Sequence, residues 1–145
     1  MEIEKAAEMG FCFGVRRAVE IVEKASRERG PLQTLGPLVH NQQVVDRLAR
    51  MGVTTANSLE EVKDGIVAIP SHGVGPEIIK QIKSRGFTSV DATCPFVRKA
   101  QIIARKLSKE GFWVLVFGDT SHPEVEAVLG WAGKKASASL EIPPF

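Results

Sequence analysis

The sequence is short of several things, and each shortage removes a class of protein. It has no apolar run near the roughly 20 residues that a membrane helix needs, the longest being Phe112–Phe117. It has no surplus of one charge: 19 Lys and Arg against 17 Asp and Glu leave a net charge of +2. That is too little to argue for nucleic acid, and the basic residues are spread through amphipathic segments rather than gathered in one run. The opening Met-Glu-Ile-Glu-Lys carries both signs of charge and no apolar core follows it, unlike a secretory signal. The expectation is a cytoplasmic protein that binds neither membrane nor nucleic acid. Cysteine is scarce too. Cys12 and Cys94 are the only two, with no CxxC spacing, so neither a zinc ribbon nor a disulfide framework is indicated.

What remains is ordinary in bulk. With 43% hydrophobic and 25% charged residues over 145 positions, the chain suits one α/β domain or two small ones sharing an interface. Val15, Ala18, Val19, Val22 and Ala25 recur at helical spacing, and Gly30 closes that helix. An extended piece around Leu32–Val39 precedes a helix near Gln43–Met51, stopped by Gly52. Ile66–Pro70 reads as a buried strand, Glu77–Arg85 as a helix and Ser89–Ala92 as a short strand. Pro95 then opens a helix with a face of Val97, Ala100, Ala104 and Leu107. Phe112–Phe117 is the strongest strand, and Pro123–Leu129 a helix ended by Gly130. Alternation of this kind predicts repeated α/β modules with mainly parallel sheets. The boundary is expected near Cys94, with 1–93 as the first module and 94–145 as the start of a second. From Lys134 to Phe145 no pattern is legible, and the chain reads as cut within that second module.

Two weak internal copies support the modular reading. Gly10-Phe-Cys12-Phe-Gly14 and Ala92-Thr-Cys94-Pro-Phe each lead into a helix, and the runs before His72 and His122 each carry an apolar strand into a histidine loop. Thiolate is the form of cysteine that binds metal, and helix N-termini favour it. Two cysteines in the same setting point to a shared ligand, either an iron–sulfur cluster or zinc; two inert buried thiols are the plain alternative. The three histidines, His40, His72 and His122, each follow an apolar run, where the strand ends of an α/β sheet gather ligands. Asn41, Ser71, Gly73, Thr120 and Ser121 beside them can donate to a phosphate. Glu124, at the start of a helix, either interacts with the helix dipole or relays a proton.

The blocks Gly10-Phe-Cys-Phe-Gly-Val-Arg-Arg-Ala, Val39-His-Asn-Gln-Gln, Ser71-His-Gly-Val, Asp91-Ala-Thr-Cys-Pro-Phe-Val and His122-Pro-Glu-Val-Glu-Ala resemble, in order and spacing, those of the 4-hydroxy-3-methylbut-2-enyl diphosphate reductase (LytB/IspH) family. The resemblance implies a trefoil of three α/β modules around a central [4Fe–4S] cluster held by one cysteine from each. It makes Cys12 and Cys94 metal ligands. It makes His40, His72 and His122, with Asn41 and Ser71, the diphosphate-binding set, and Glu124 the catalytic proton relay. The implied reaction is a reductive dehydroxylation of a small allylic diphosphate to isopentenyl and dimethylallyl diphosphate, with electrons from a donor such as ferredoxin or flavodoxin. A third cysteine and a third module have no counterpart in these 145 residues, so this chain alone is expected to be inactive. Two other readings compete: a non-catalytic module that binds phosphate or diphosphate, and a redox or zinc protein in which Cys12 and Cys94 pair directly.

Overall fold

A computed structural model of the chain describes residues 2–7, 9–63 and 65–141. Along these residues the elements are α1 (Phe13–Arg29), β1 (Leu32–Leu35), α2 (Gln42–Ala49), β2 (Val53–Ala56), β3 (Ile66–Ile69), α3 (Pro76–Ser84), β4 (Thr88–Asp91), α4 (Pro95–Lys109), β5 (Val114–Phe117), α5 (Pro123–Ala132) and β6 (Ala136–Ser139). The strands form one sheet in the order β2-β1-β3-β4 and a second of β5-β6. Every pairing is parallel, from Leu32 opposite Val53 in the first sheet to Val114 opposite Ala136 in the second. The α/β class with parallel sheets is thus the architecture of the described residues. No helix among them is long and apolar enough to cross a membrane.

Packing explains the layering. The stripe Ala18, Val19, Val22 and Ala25 of α1 packs with Leu32, Val44, Leu48, Ala68 and Val90 on one face of the first sheet. On the other face, Val67 and Ile69 meet Ile78, Ile79 and Ile82 of α3. β3 therefore points side chains into cores on both sides, as strands of covered parallel sheets do. Ile82 is 1% exposed, and burial of one such side chain contributes about 1.5–3 kcal/mol. A third core joins Ala104 of α4, Val128 and Ala132 of α5, and Val114 of β5.

Four sequence expectations change. β2 and β6 were not legible as strands: Val53-Thr-Thr-Ala buries only its ends, and Ala-Ser-Ala-Ser carries no large apolar residue. Both are defined by the neighbour they pair with rather than by their own pattern. The strand expected around Leu32–Val39 is confined to Leu32–Leu35. The buried face of α4 is Val97, Gln101 and Ala104, while Ala100 and Leu107 are exposed. Finally, α5 runs through Gly130 to Ala132 and is capped by Gly133, whose φ is 75°. Gly130 is there for a different reason, because a Cβ on it would stand 3.2 Å from Gly75 Cα. It permits a close helix approach and does not stop the helix. The last four residues of the unpatterned tail, 142–145, lie outside the described residues.

Candidate functional site

In a sheet ordered β2-β1-β3-β4 the connections leave β1 and β3 in opposite directions, and the crevice that ligands use opens between the carboxyl ends of those two strands. The loop after β1 carries His40 and the loop after β3 carries His72. Ser71 fastens the loops together, its hydroxyl donating to the Leu38 carbonyl at 3.0 Å. The loop after β5 delivers His122 to the same place. The ring centroids of His40 and His72 are 6.3 Å apart and nearly stacked, and those of His40 and His122 are 5.9 Å apart. Three imidazoles from separate loops thus form one cluster, with His40 and His122 exposed and His72 buried.

The nitrogens differ in what they offer. His122 is the N-cap of α5, its Nδ1 accepting from the Glu124 backbone N–H at 3.2 Å. That bond leaves the neutral ring with an Nε2–H to donate. Asp119 shapes the turn beneath it: its carbonyl accepts from the His122 N–H at 3.1 Å. The backbone N–H and hydroxyl of Ser121, both on the Asp119 carboxylate at 2.8 Å, hold that carboxyl below its usual range. His72 is the opposite case. Its Nδ1 lies 3.1 Å from the Gly73 carbonyl; a carbonyl only accepts, so Nδ1 carries the proton and the buried Nε2 presents a lone pair with no partner among the described residues. Burial pushes the His72 pKa down, and the nearby His40 and His122 push the same way, against the Gly73 hydrogen bond.

Asn41 caps α2 through its side-chain oxygen, which accepts from the Val44 N–H at 3.1 Å, so its amide N–H groups remain available. Glu124 is half-buried in the first turn of α5. His72, Gly73, Pro123 and Glu126 border a cleft of about 250 Å³. Ser71 does not offer its proton to this space, since Leu38 already holds it.

The cysteines converge as well. Cys12 is the N-cap of α1 and Cys94 the N-cap of α4. A Cβ built on Gly14 would lie 2.5 Å from the Cys94 sulfur and 4.0 Å from the Cys12 sulfur. Both sulfurs therefore flank a cradle that glycine alone leaves free. Cys94 is tied to the His72 loop directly, because its backbone N–H donates to the Ser71 carbonyl at 2.8 Å. Both thiols are free, Cys12 exposed and Cys94 half-buried. Among the described residues no group of three or more His, Cys, Asp or Glu is placed to hold a metal ion alone. The donor chemistry fits an iron–sulfur cluster in part: two cysteine sulfurs beside a sterically open glycine, short of a full set.

Sequence reasoning missed the framework behind Cys94. Asp91 accepts from Thr93 through both the N–H, at 3.0 Å, and the hydroxyl, at 2.5 Å, and is paired with Arg98. Arg98 donates to Gln101 Oε1 at 3.2 Å, and Arg17 of α1 donates to the Thr93 carbonyl at 3.0 Å. Gln101, wholly buried, was detectable as a polar residue on an otherwise apolar helical stripe.

Two free thiols and three clustered imidazoles thus stand on neighbouring loops and helix starts of one α/β chain. The chain belongs to the LytB family, whose model matches residues 3–141. It is 50% identical over 140 residues to a 4-hydroxy-3-methylbut-2-enyl diphosphate reductase of Dehalococcoides mccartyi strain CBDB1, covering 97% of this chain and 49% of that protein. A reductase of the same description from Geobacter metallireducens is 44% identical over 135 residues, with 93% and 48% covered. Among solved structures, (E)-4-hydroxy-3-methyl-but-2-enyl diphosphate reductase, the terminal enzyme of the non-mevalonate pathway, superposes with a TM-score of 0.79 at 40% identity, covering 89% of this chain and 47% of that one. The Plasmodium falciparum reductase gives a TM-score of 0.88 at 30% identity, with 92% and 42% covered. The chain spans about half the length of the curated relatives it matches.

Proposed function

We propose that this chain forms the first half of a cytoplasmic 4-hydroxy-3-methylbut-2-enyl diphosphate reductase. Residues 1–93 would be one α/β module and 94–145 the start of a second, within a three-module trefoil. The observation that carries this reading is the meeting of His40, His72 and His122 one residue from the Cys12–Cys94 cradle. Cys12 and Cys94 would hold a [4Fe–4S] cluster with a third cysteine from outside these residues. When bound, that cluster would supply electrons, received from ferredoxin or flavodoxin, and an electrophilic iron for the substrate hydroxyl. His122 and Asn41 donate to the diphosphate, His40 adds a third imidazole, and Ser71 keeps His72 in place by tying the two loops. Glu124 passes a proton to the departing hydroxyl. With two of the three thiols, the 145-residue polypeptide alone does not turn over, and anion binding is the part of the function it retains.

That retained part has a pH signature. An anion cannot accept a hydrogen bond from the lone pair on His72 Nε2, so full engagement requires His72 to take up a proton. Its pKa lies below the usual imidazole value, so the ring is neutral near pH 7 and binding weakens as pH rises. Calorimetry with pyrophosphate in two buffers of different ionisation enthalpy is expected to show proton uptake approaching one per site near pH 7. His72→Asn should lower the proton uptake, leaving only the part that belongs to pyrophosphate itself. Binding without proton uptake would remove His72 from the anion site, and no binding at all would sink the retained-anion reading.

The larger claim is tested on a completed protein: this chain joined in frame to the half of the D. mccartyi relative that it does not match. We expect visible iron–sulfur absorbance and reductive turnover of the allylic diphosphate, with Cys12→Ser or Cys94→Ser removing the absorbance. A serine variant that kept a normal chromophore would refute the ligand assignment.

A further inference from the structure

Arg98 stands in the first turn of α4, and its guanidinium meets groups from three parts of the fold. One arm pairs with the Asp91 carboxylate at the end of β4 and donates to Thr93 Oγ1 at 3.2 Å. The other arm donates to Gln101 Oε1 at 3.2 Å. Its central carbon also lies 5.9 Å from the ring centroid of Trp131 on α5, within cation–π reach.

Two of these contacts lead on to the His72 loop. Trp131 Nε1 donates to the Val74 carbonyl at 3.0 Å. Gln101 lies beneath Gly73: a Cβ added there would collide with Gln101 Nε2 and stand 3.0 Å from Thr93 Cγ2. The Gly73 carbonyl is in turn the acceptor that fixes His72 Nδ1–H.

Gln101 does more under that loop than fill space. It is wholly buried, and Arg98 can only donate, so the amide oxygen faces Arg98 and the NH2 group is left to the loop. That nitrogen has no hydrogen-bond partner among the described residues. Leaving a buried donor unpaired costs about 1–3 kcal/mol, and an apolar side chain of the same shape would avoid that cost. What the amide adds is a fixed orientation, set by Arg98.

We propose that Arg98 is a positioning residue for the anion crevice. Its planar fork orients Gln101 under Gly73 and Trp131 against Val74, and so holds His72 in place relative to α5 and to the strand end that precedes Cys94. Lysine would keep a charge beside Asp91, but it is a point donor on a flexible stem and cannot engage Asp91, Thr93 and Gln101 together. The consequence for binding rests on the anion reading given above; the consequence for the His72 ring does not.

Long-range proton–nitrogen NMR of the 145-residue chain at about pH 8, where imidazoles are neutral, reads the His72 tautomer. The wild type should show the Nδ1–H form. Arg98→Lys and Arg98→Met should both give mixed tautomers, and both should weaken pyrophosphate binding at least about tenfold by calorimetry. Full recovery of the ring state and the affinity by lysine would overturn the proposal, leaving Arg98 as a counter-ion for Asp91. An unchanged tautomer in Arg98→Met would overturn it as well. If the wild type binds no pyrophosphate, the anion reading falls and the tautomer still decides the role of Arg98. Gln101→Met supplies an arm that does not need Arg98→Met to fold. Removing the unpaired amide should keep or raise the melting temperature while mixing the His72 tautomers. A Gln101→Met chain that melts lower and keeps the Nδ1–H form would show that Gln101 serves packing alone, and would sink the route through it to His72.

Discussion

Glu124→Gln in the completed protein is expected to lower kcat by roughly 10²–10⁴-fold, the range for loss of a positioned general acid, with KM little changed. The reasoning starts from the cap of α5. His122 Nδ1 accepts from the Glu124 backbone N–H, so the residue is held at the first turn whatever its side chain does. Glutamine keeps the shape and the hydrogen-bonding oxygen and removes only the transferable proton. The competing role is electrostatic: a carboxylate in a first turn gains about 0.3–1 kcal/mol from the helix dipole. That role predicts a small loss of thermal stability in the 145-residue chain and no loss of turnover. Measuring both melting and single-turnover rate separates the two, and an unchanged rate would return Glu124 to the dipole.

Gly14→Ala should act on the thiol pair without altering either cysteine. Helix propensity alone would favour the change by about 0.8–1 kcal/mol, since Gly14 lies inside α1. The cradle opposes it, because the new Cβ would stand 2.5 Å from the Cys94 sulfur and 3.3 Å from its Cβ. Overpacking of this kind costs about 1–3 kcal/mol, so the steric term outweighs propensity and the variant is destabilised. A double-mutant cycle exposes the cause. In a Cys94→Ala background the sulfur is gone, and Gly14→Ala should turn neutral or stabilising. The same sign in both backgrounds would show that the glycine serves something other than the sulfur. In the completed protein the single variant is expected to lose most of its cluster absorbance, which iron analysis would measure.

Much of this was legible in the chain because its signals are local. The α1 stripe, the apolar run Ile66–Ile69 and the glycines after helices each declare their element within a few residues. The meeting of the histidines was legible too, once each was read as following a strand. What could not be read depends on partners remote in sequence. β6 is a strand because β5 lies beside it. Gly130 looked like a helix stop because its need for glycine comes from Gly75, far away along the chain. The tautomers of His72 and His122 follow from backbone groups that no side-chain pattern reveals.

The contact between Gly130 and Gly75 also sets a dimension. Trp131, the next residue on α5, donates from Nε1 to the Val74 carbonyl at 3.0 Å, so the far end of α5 is clamped to the segment that leaves His72. His122 sits at the near end of the same helix. The helix behaves as the arm of a caliper, with its pivot where two glycines touch and its jaws at His122 and His72. The spacing of His122 from the His72 loop is thereby set at the far end of α5, where Gly130 and Trp131 meet Gly75 and Val74.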